Sequence, residues 1–416
     1  MKPLTRITLL FLLLLLLPPL IAGKTEMIST VPLTLNEVLE IAQKNNPEIK
    51  AAKKRWDSFN AKISLEKTWG NPQISYERMY SGDEKLLGIS QEFPFPGKLT
   101  LKGQIASQEA LMAQQSYMAK EREIRSKVKS AYALYFLAVK SIDIFQENIE
   151  LMRRFSKVTE SKYAVGKARQ ADVLRAQIEL SKMLNMLITL NQEKETAQAM
   201  LSALLNLPPQ KTWGKPGEPQ LKRSVLSLER LQETALNNRP ELLESRFAID
   251  KYDQSLTSSR YEYLPDIMAQ FKTRWAMNPE LDNTQDVMVG LSVPLWLWKQ
   301  KAMVRMAKAD KEMSEAEYEA IKNMTLLGVK DLMVKAQTAE RLVDLYRTSI
   351  IPQMEQALTI SETAYQSDKI SFLELIDIQR NLLQFRVEHY QHWAEYEQWS
   401  AELERVVGKD LSEVPQ

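Results

Sequence analysis

Cysteine is absent from the 416 residues, which removes disulfides, thiolate metal sites, thiol nucleophiles and lipid attachment through sulfur. Glycine is scarce, at 12 residues, while Leu, Ala, Gln, Glu and Lys abound, a balance that favours long helices over a glycine-rich enzyme core. No glycine-rich phosphate loop, no pair of carboxylates in a pocket-forming context and no supported Ser/His/Asp arrangement can be found, so neither an enzyme nor a cofactor is expected. The net charge is only +2, which points to neither nucleic acid nor an acidic substrate. Beyond the N-terminus no stretch is apolar enough to cross a bilayer as a helix, so any insertion has to be by strands.

What is present begins with residues 1–23. Lys2 and Arg6 precede an apolar run from Leu9 to Leu17, followed by Pro18, Pro19 and a small-residue ending at Gly23. The run falls short of the ~20 residues that a spanning helix needs, and the pattern predicts a secretory signal. It is similar to a lipoprotein signal in which Lys24 stands at the cysteine position, so the mature chain is expected to start near Lys24, unlipidated and outside the cytoplasm.

The mature chain is a duplication. Leu33 to Glu48 matches Leu226 to Glu241 at a constant offset of 193, with seven identities in sixteen positions. Each copy opens on an N-cap candidate, Thr34 or Ser227, and restarts at Pro47 or Pro240. Tyr163 to Leu180 returns in degraded form at Tyr365 to Leu382. In both places a helical pattern breaks and resumes, as at the tip of a helical hairpin. Gly166 suits the break, Lys167 to Gln170 form a polar turn, and Asp368 and Lys369 are their counterparts. The expected organisation is a first repeat over 24–206, a connector over 207–225, a second repeat over 226–408 and a tail over 409–416.

After Pro72 and Pro265 the period becomes alternating. Ile267, Ala269, Phe271, Thr273 and Trp275 share one face, and Val287, Val289, Leu291, Val293 and Leu295 another after a turn over Asn278 to Asn283. The first copy offers Ile74, Tyr76 and Tyr80, a turn over Ser81 to Lys85, then Leu87, Ile89, Phe93 and Phe95. Four strands cannot close a barrel that needs about eight, so closure has to come from several chains or the strands form an ordinary soluble sheet.

From Lys98 the pattern is helical for roughly 65 residues, close to 100 Å. Ile124, Val128, Ala131, Tyr135, Ala138, Ile142, Phe145, Ile149 and Met152 make a heptad seam, widened by Leu137, Ile144, Leu151 and Val158. The second copy repeats the plan, with Pro352 expected to kink it. His389 and His392 could share a metal with Glu388 nearby, but they lie on the apolar seam, where packed histidines are the ordinary reading.

The order of signal, short helix with Asn-x-Pro-Glu, strand hairpin, long helix, Tyr-x-Val-Gly tip and returning helix, all duplicated, resembles the TolC-type outer-membrane efflux proteins. Gln91 to Lys98 and Ile351-Pro352-Gln353 are similar to the heavy-metal branch. The resemblance implies a mainly α fold with a small β part, trimerising into a 12-stranded barrel and a 12-helix periplasmic tunnel. It implies the outer membrane as location and a passive exit duct as function, with an adaptor and an inner-membrane pump of RND type as partners. It places Asp172, Glu374 and Asp377 on acidic or linking positions at the closed tip and Tyr365 on a linking tyrosine, with Ile370 where some members have arginine. Gly166, Lys167, Asp368 and Lys369 fall at the docking turn. Two alternatives stand beside this: a soluble periplasmic coiled-coil adaptor or scaffold, and tip carboxylates that are only solvated turn charges.

Overall fold

Thr34 opens the first helix as a capping box: its hydroxyl accepts from Glu37 N, and the Glu37 carboxylate accepts from Thr34 N at 3.1 Å. In the computed structural model, which describes residues 33–79, 84–217, 227–276 and 282–414, this start leads into a sequence of elements that runs twice. The first pass comprises α1 (Leu35–Asn45), α2 (Pro47–Lys67), β1 (Gln73–Met79), β2 (Glu84–Phe93), α3 (Lys98–Ala164) and α4 (Gln170–Leu204). The second comprises α5 (Leu228–Asn238), α6 (Pro240–Tyr261), β3 (Asp266–Ala276), β4 (Thr284–Ser292), α7 (Leu297–Leu345), a π-helical segment (Tyr346–Ile350), α8 (Ile351–Gln366) and α9 (Phe372–Val407). Ser227 caps α5, and Pro47 and Pro240 sit in the first turns of α2 and α6, as their sequence positions predict. The signal, Tyr80 to Asp83 and Asn278 to Leu281 lie outside the described residues.

The two passes differ at one point. α3 runs unbroken for 67 residues, whereas its counterpart is divided into stretches of 49, 5 and 16 residues. Pro352 has no N–H to give to the preceding turn, and the chain accommodates it as a π segment just upstream. A bend was expected here; its form is a single π turn.

The core follows the length of the hairpins as a seam. Ile124, Val128, Ala131, Tyr135, Ala138, Ile142, Ile149 and Met152 are buried, with Phe145 half-buried. The second stripe is less uniform: Ile144 is buried, Leu137 and Leu151 are half-buried, and Val158 is exposed. Near the tips, residues from α3, α4, α8 and α9 form one cluster around Met152, Ala176, Leu358 and Leu375. Inside it Gln379, fully buried, donates to Asn148 Oδ1 at 2.9 Å and fixes the register of α9 on α3.

The strands form one antiparallel sheet in the order β1-β2-β3-β4. Its register aligns Ile74, Ile89, Phe271 and Val287 in one row and Phe93, Ile267 and Leu291 in another. These rows lie on a single apolar face that the chain leaves uncovered: Ile74 is 74% exposed and Val287 76%. The opposite face is polar and paired by sign, with Lys272 Nζ 3.9 Å from Glu77 and Arg274 bridging Glu84 at 3.3 Å and Asp286 at 3.6 Å. β4 ends at Ser292, so Val293 and Leu295 are not strand residues as their alternation suggested. Pro294 cannot donate to a ladder and stops the pairing, and Pro94 does the same before Phe95.

The sheet joins the helices through the Phe95 to Lys98 corner. Asp266 accepts from Phe95 N at 2.7 Å and from Lys98 Nζ at 3.0 Å, and Lys98 also donates to Leu264 O at 3.1 Å. The lysine side chain is only 6% exposed. Gly97 has φ 101°, and a Cβ there would meet the Tyr261 ring at 2.7 Å. A left-handed glycine and a buried ion pair therefore fix the angle between β2 and α3.

Candidate functional site at the hairpin tips

Both tips close by the same local rule. Gly166 takes φ 73° and Asp368 φ 58°, and the following N–H reaches back five residues, Lys167 to Lys162 O and Lys369 to Ala364 O, each at 2.8 Å. The polar turn is one residue shorter than the sequence suggests, because Gln170 already belongs to α4. A left-handed aspartate is disfavoured relative to glycine, and its neighbours explain its place. Asp368 receives Lys162 Nζ at 2.5 Å and Lys167 Nζ at 3.4 Å, so the turn residue of the second tip is held by two lysines of the first. The Lys162 hydrogen bond, followed by that of Lys167, holds the Asp368 carboxyl below its ordinary pKa.

Lys162 is the centre of this contact. Its ammonium also donates to the Tyr365 carbonyl and lies 4.4 Å from the centre of the Tyr365 ring. The Tyr365 hydroxyl shares a hydrogen bond of 3.1 Å with Thr159, which is fully buried. Neither Lys162 nor Thr159 stood out in the sequence. The available signal was asymmetry between the copies, since the repeat offset sets Lys162 against Ala364.

The acidic positions have local partners. Asp172 and Glu374 occupy equivalent sites three residues after their N-caps: Asp172 accepts from Arg169 N at 3.4 Å, and Ser371 caps Glu374 N at 3.3 Å. Asp172 also meets Arg175 at 3.4 Å, and Asp377 meets Arg380 at 3.6 Å. Among the described residues of one protomer Asp172 and Tyr365 are not brought together, because each is engaged within its own neighbourhood. Ile370 packs on the apolar cluster beneath the tip.

The histidines do not converge on a metal geometry. His392 Nδ1 lies 2.9 Å from Glu395, while Glu388 accepts from the Tyr346 hydroxyl at 2.7 Å. His389 is turned into the seam, and burial, Arg347 and His392 push its pKa down. Among the described residues no group of three or more His, Asp or Glu side chains could hold a metal ion, and no helix is long and apolar enough to cross a membrane.

The fold is two long helical hairpins joined to an antiparallel sheet that has one polar and one uncovered apolar face. The family model described as outer membrane efflux protein matches residues 38–207 and 231–409, one stretch in each repeat. The chain belongs to that family, and its function is that of an efflux channel of the outer membrane. It is 21% identical over 395 residues to the cobalt-zinc-cadmium resistance protein CzcC of Cupriavidus metallidurans, with 91% of this chain and 90% of CzcC covered. Among solved structures it superposes on CusC with a TM-score of 0.77 at 17% identity, covering 92% of this chain and 94% of that one. The CmeC outer membrane channel of Campylobacter jejuni gives a TM-score of 0.78 at 17% identity, with 91% and 87% covered.

Proposed function

We propose that three copies of the chain close their sheets into a twelve-stranded barrel and align their hairpins as a twelve-helix tunnel across the periplasm. The observation that carries this reading is the sheet itself. It has two open edges, β1 and β4, and an apolar face without cover. In water such a sheet would aggregate, which argues against a soluble scaffold. Neighbouring copies supply the edges and lipid supplies the cover. The polar face then lines the pore, where its charges remain hydrated.

In this duct the tips form the periplasmic end, held shut by the Lys162, Lys167 and Asp368 contacts and by Tyr365 with Thr159. The π segment divides the second hairpin, so α8 and the start of α9 are the part that swings when the end opens. Gly166, Lys167, Asp368 and Lys369 face the periplasmic adaptor and an inner-membrane pump of RND type. Glu374 lies nearest to a luminal charge ring, since Asp172 and Asp377 are partly neutralised by Arg175 and Arg380. Lys24 leaves the mature protein without a lipid anchor. The likeness to CzcC supports heavy-metal cations as cargo.

The test is a deletion strain, complemented with the intact gene, challenged with cobalt, zinc, cadmium and copper salts and with a panel of dyes and antibiotics. Metal hypersensitivity restored by the gene supports the cargo. Sensitivity confined to dyes and antibiotics overturns it, and no sensitivity of either kind removes the efflux role.

A further inference from the structure

Upstream of the π segment the long helices of the two copies run 201 residues apart: Thr325 and Val329 are fully buried where Ile124 and Val128 are. Downstream they run 202 apart, with Tyr163 set against Tyr365. The π segment thus accommodates one extra residue in the second copy. With that residue placed, the positions of α3 and α4 have counterparts on α7, α8 and α9.

The counterparts are not equally covered. Within the chain α3 packs on α4 and on α9, and α9 packs in turn on α7. The first repeat therefore meets the second along α3 and α9. There Ser126 donates to Glu402 at 3.1 Å, Lys129 pairs with Glu404, Ala133 shares a cluster with Trp393, and the Phe136 ring meets that of Tyr390 at 6.0 Å. On α7 and α4 the corresponding sides are bare. Leu327, the counterpart of Ser126, is 60% exposed, and Met200, the counterpart of Glu402, is exposed as well. Val334 is exposed where Ala133 is buried, and Ile188 is 71% exposed where Tyr390 is half-buried. Large apolar side chains stand in water at the positions that the other repeat covers.

We propose that a second copy of the chain covers this strip, docked so that α7 of one copy stands against α4 of the next as α3 stands against α9. The inference rests on the duct proposed above and names the residues of its chain-to-chain seam. Leu327 meets Met200 of the next copy, and Val334 and Ile188 continue the same line. The step from repeat to repeat and the step from chain to chain are then alike, as a head-to-tail contact requires if it is to close into a ring. The two steps differ in chemistry. α9 presents carboxylates at Glu402 and Glu404, which would lie unpaired against Leu327, so α7 accepts α4 of the next copy and rejects a second α9.

The test uses the full-length chain in intact cells, where only introduced cysteines can react. Within one chain α3 and α9 stand between Met200 and Leu327, so Leu327→Cys with Met200→Cys can bond only between copies. Oxidation is expected to give dimers and trimers on a denaturing gel, and each single variant to stay monomeric. A second arm needs no cysteine. Met200→Glu, exposed in the lone chain, is expected to raise the dissociation rate of the detergent-extracted oligomer roughly tenfold. Leu327→Lys in the same chain is expected to restore the parent rate, because the two residues meet only across copies. A parent that extracts as a trimer while the cysteine pair stays unlinked, or a Met200→Glu variant that Leu327→Lys does not rescue, overturns the seam alone. A parent that extracts as a monomer overturns the twelve-helix tunnel as well. Cross-linking of either single cysteine to a different protein gives the strip to another partner and overturns the proposal.

Discussion

The two ends of the molecule are built on opposite principles. At the sheet end the chain is fixed by an extended register, by a left-handed glycine against Tyr261 and by a Lys98–Asp266 pair that is largely buried. At the tip end it is fixed by a few polar contacts, of which Asp368 and Lys167 are substantially exposed to water. The comparison shows where motion is affordable. An ion pair open to solvent is weak and reversible, while an apolar face held in lipid is permanent on the timescale of transport. The π segment lies in the half that leads to the tip, and α3 beside it is continuous. In the proposed gating the first hairpin is the frame and the second the moving part.

This contrast orders the expected effects of substitution. Phe271→Arg and Val289→Arg place a cation on the lipid face, at a cost of about 2–4 kcal/mol near the midplane. Each variant is expected to lose the oligomer from outer-membrane fractions; normal assembly of both would break the sheet-end half of the comparison. Gly97→Ala comes next, since it combines a left-handed backbone with a clash at 2.7 Å. Strain of about 1–3 kcal/mol from the backbone alone is expected there. Gly166→Ala, with φ 73° and open space around it, is expected to lower the melting temperature less. Equal shifts would mean that the corner at Gly97 is softer than its packing indicates.

At the tip the effects fall on gating. Lys162→Met removes the contacts to Asp368 and to the Tyr365 carbonyl together, and is expected to raise the open probability in planar bilayers without changing assembly. Tyr365→Phe removes one hydrogen bond and leaves Thr159 its own bond to Phe155 O at 2.9 Å. The loss is about 0.5–1 kcal/mol, at most about a fivefold change in the open-to-closed ratio. The smallest effect is that of pH. The Asp368 pKa is lowered in the folded tip, so its contribution is fully present above the ordinary carboxylate range and is lost only as pH falls through the depressed value. Gating is expected to be flat from pH 8 to about pH 5 and to loosen below the ordinary carboxylate pKa of about 4. Loosening near neutral pH would assign the closed state to other groups.

The sheet, the hairpins and the duplication were legible because each rests on a period or a repeated turn residue. Alternation over Asp266 to Trp275 and the seam from Ile124 to Met152 needed no tertiary information. Pro294 carries a strand stop in the sequence, although the alternation of Val293 and Leu295 continues across it. The cross-tip contact was not legible, because Lys162 sits on a helix like many solvated lysines and only the fold brings Asp368 to it. The acidic residues also have a local role. Asp172 and Glu374 recur at the same place in both copies, the first turn of a helix, where acidic groups are favoured.

In the proposed barrel one chain supplies four of the twelve strands, so closure needs three chains. The absence of cysteine makes introduced pairs unambiguous. β1 and β4 lie at opposite edges of the four-stranded sheet, about 14 Å apart at the strand spacing, too far for a disulfide within one chain. A scan pairing Ile74→Cys or Tyr76→Cys on β1 with single cysteines along β4 from Gln285 to Leu291, oxidised in intact cells, tests closure between chains directly. The predicted result is a register-specific ladder that stops at three chains. Monomers at every pair, or a ladder that continues beyond three, would contradict it.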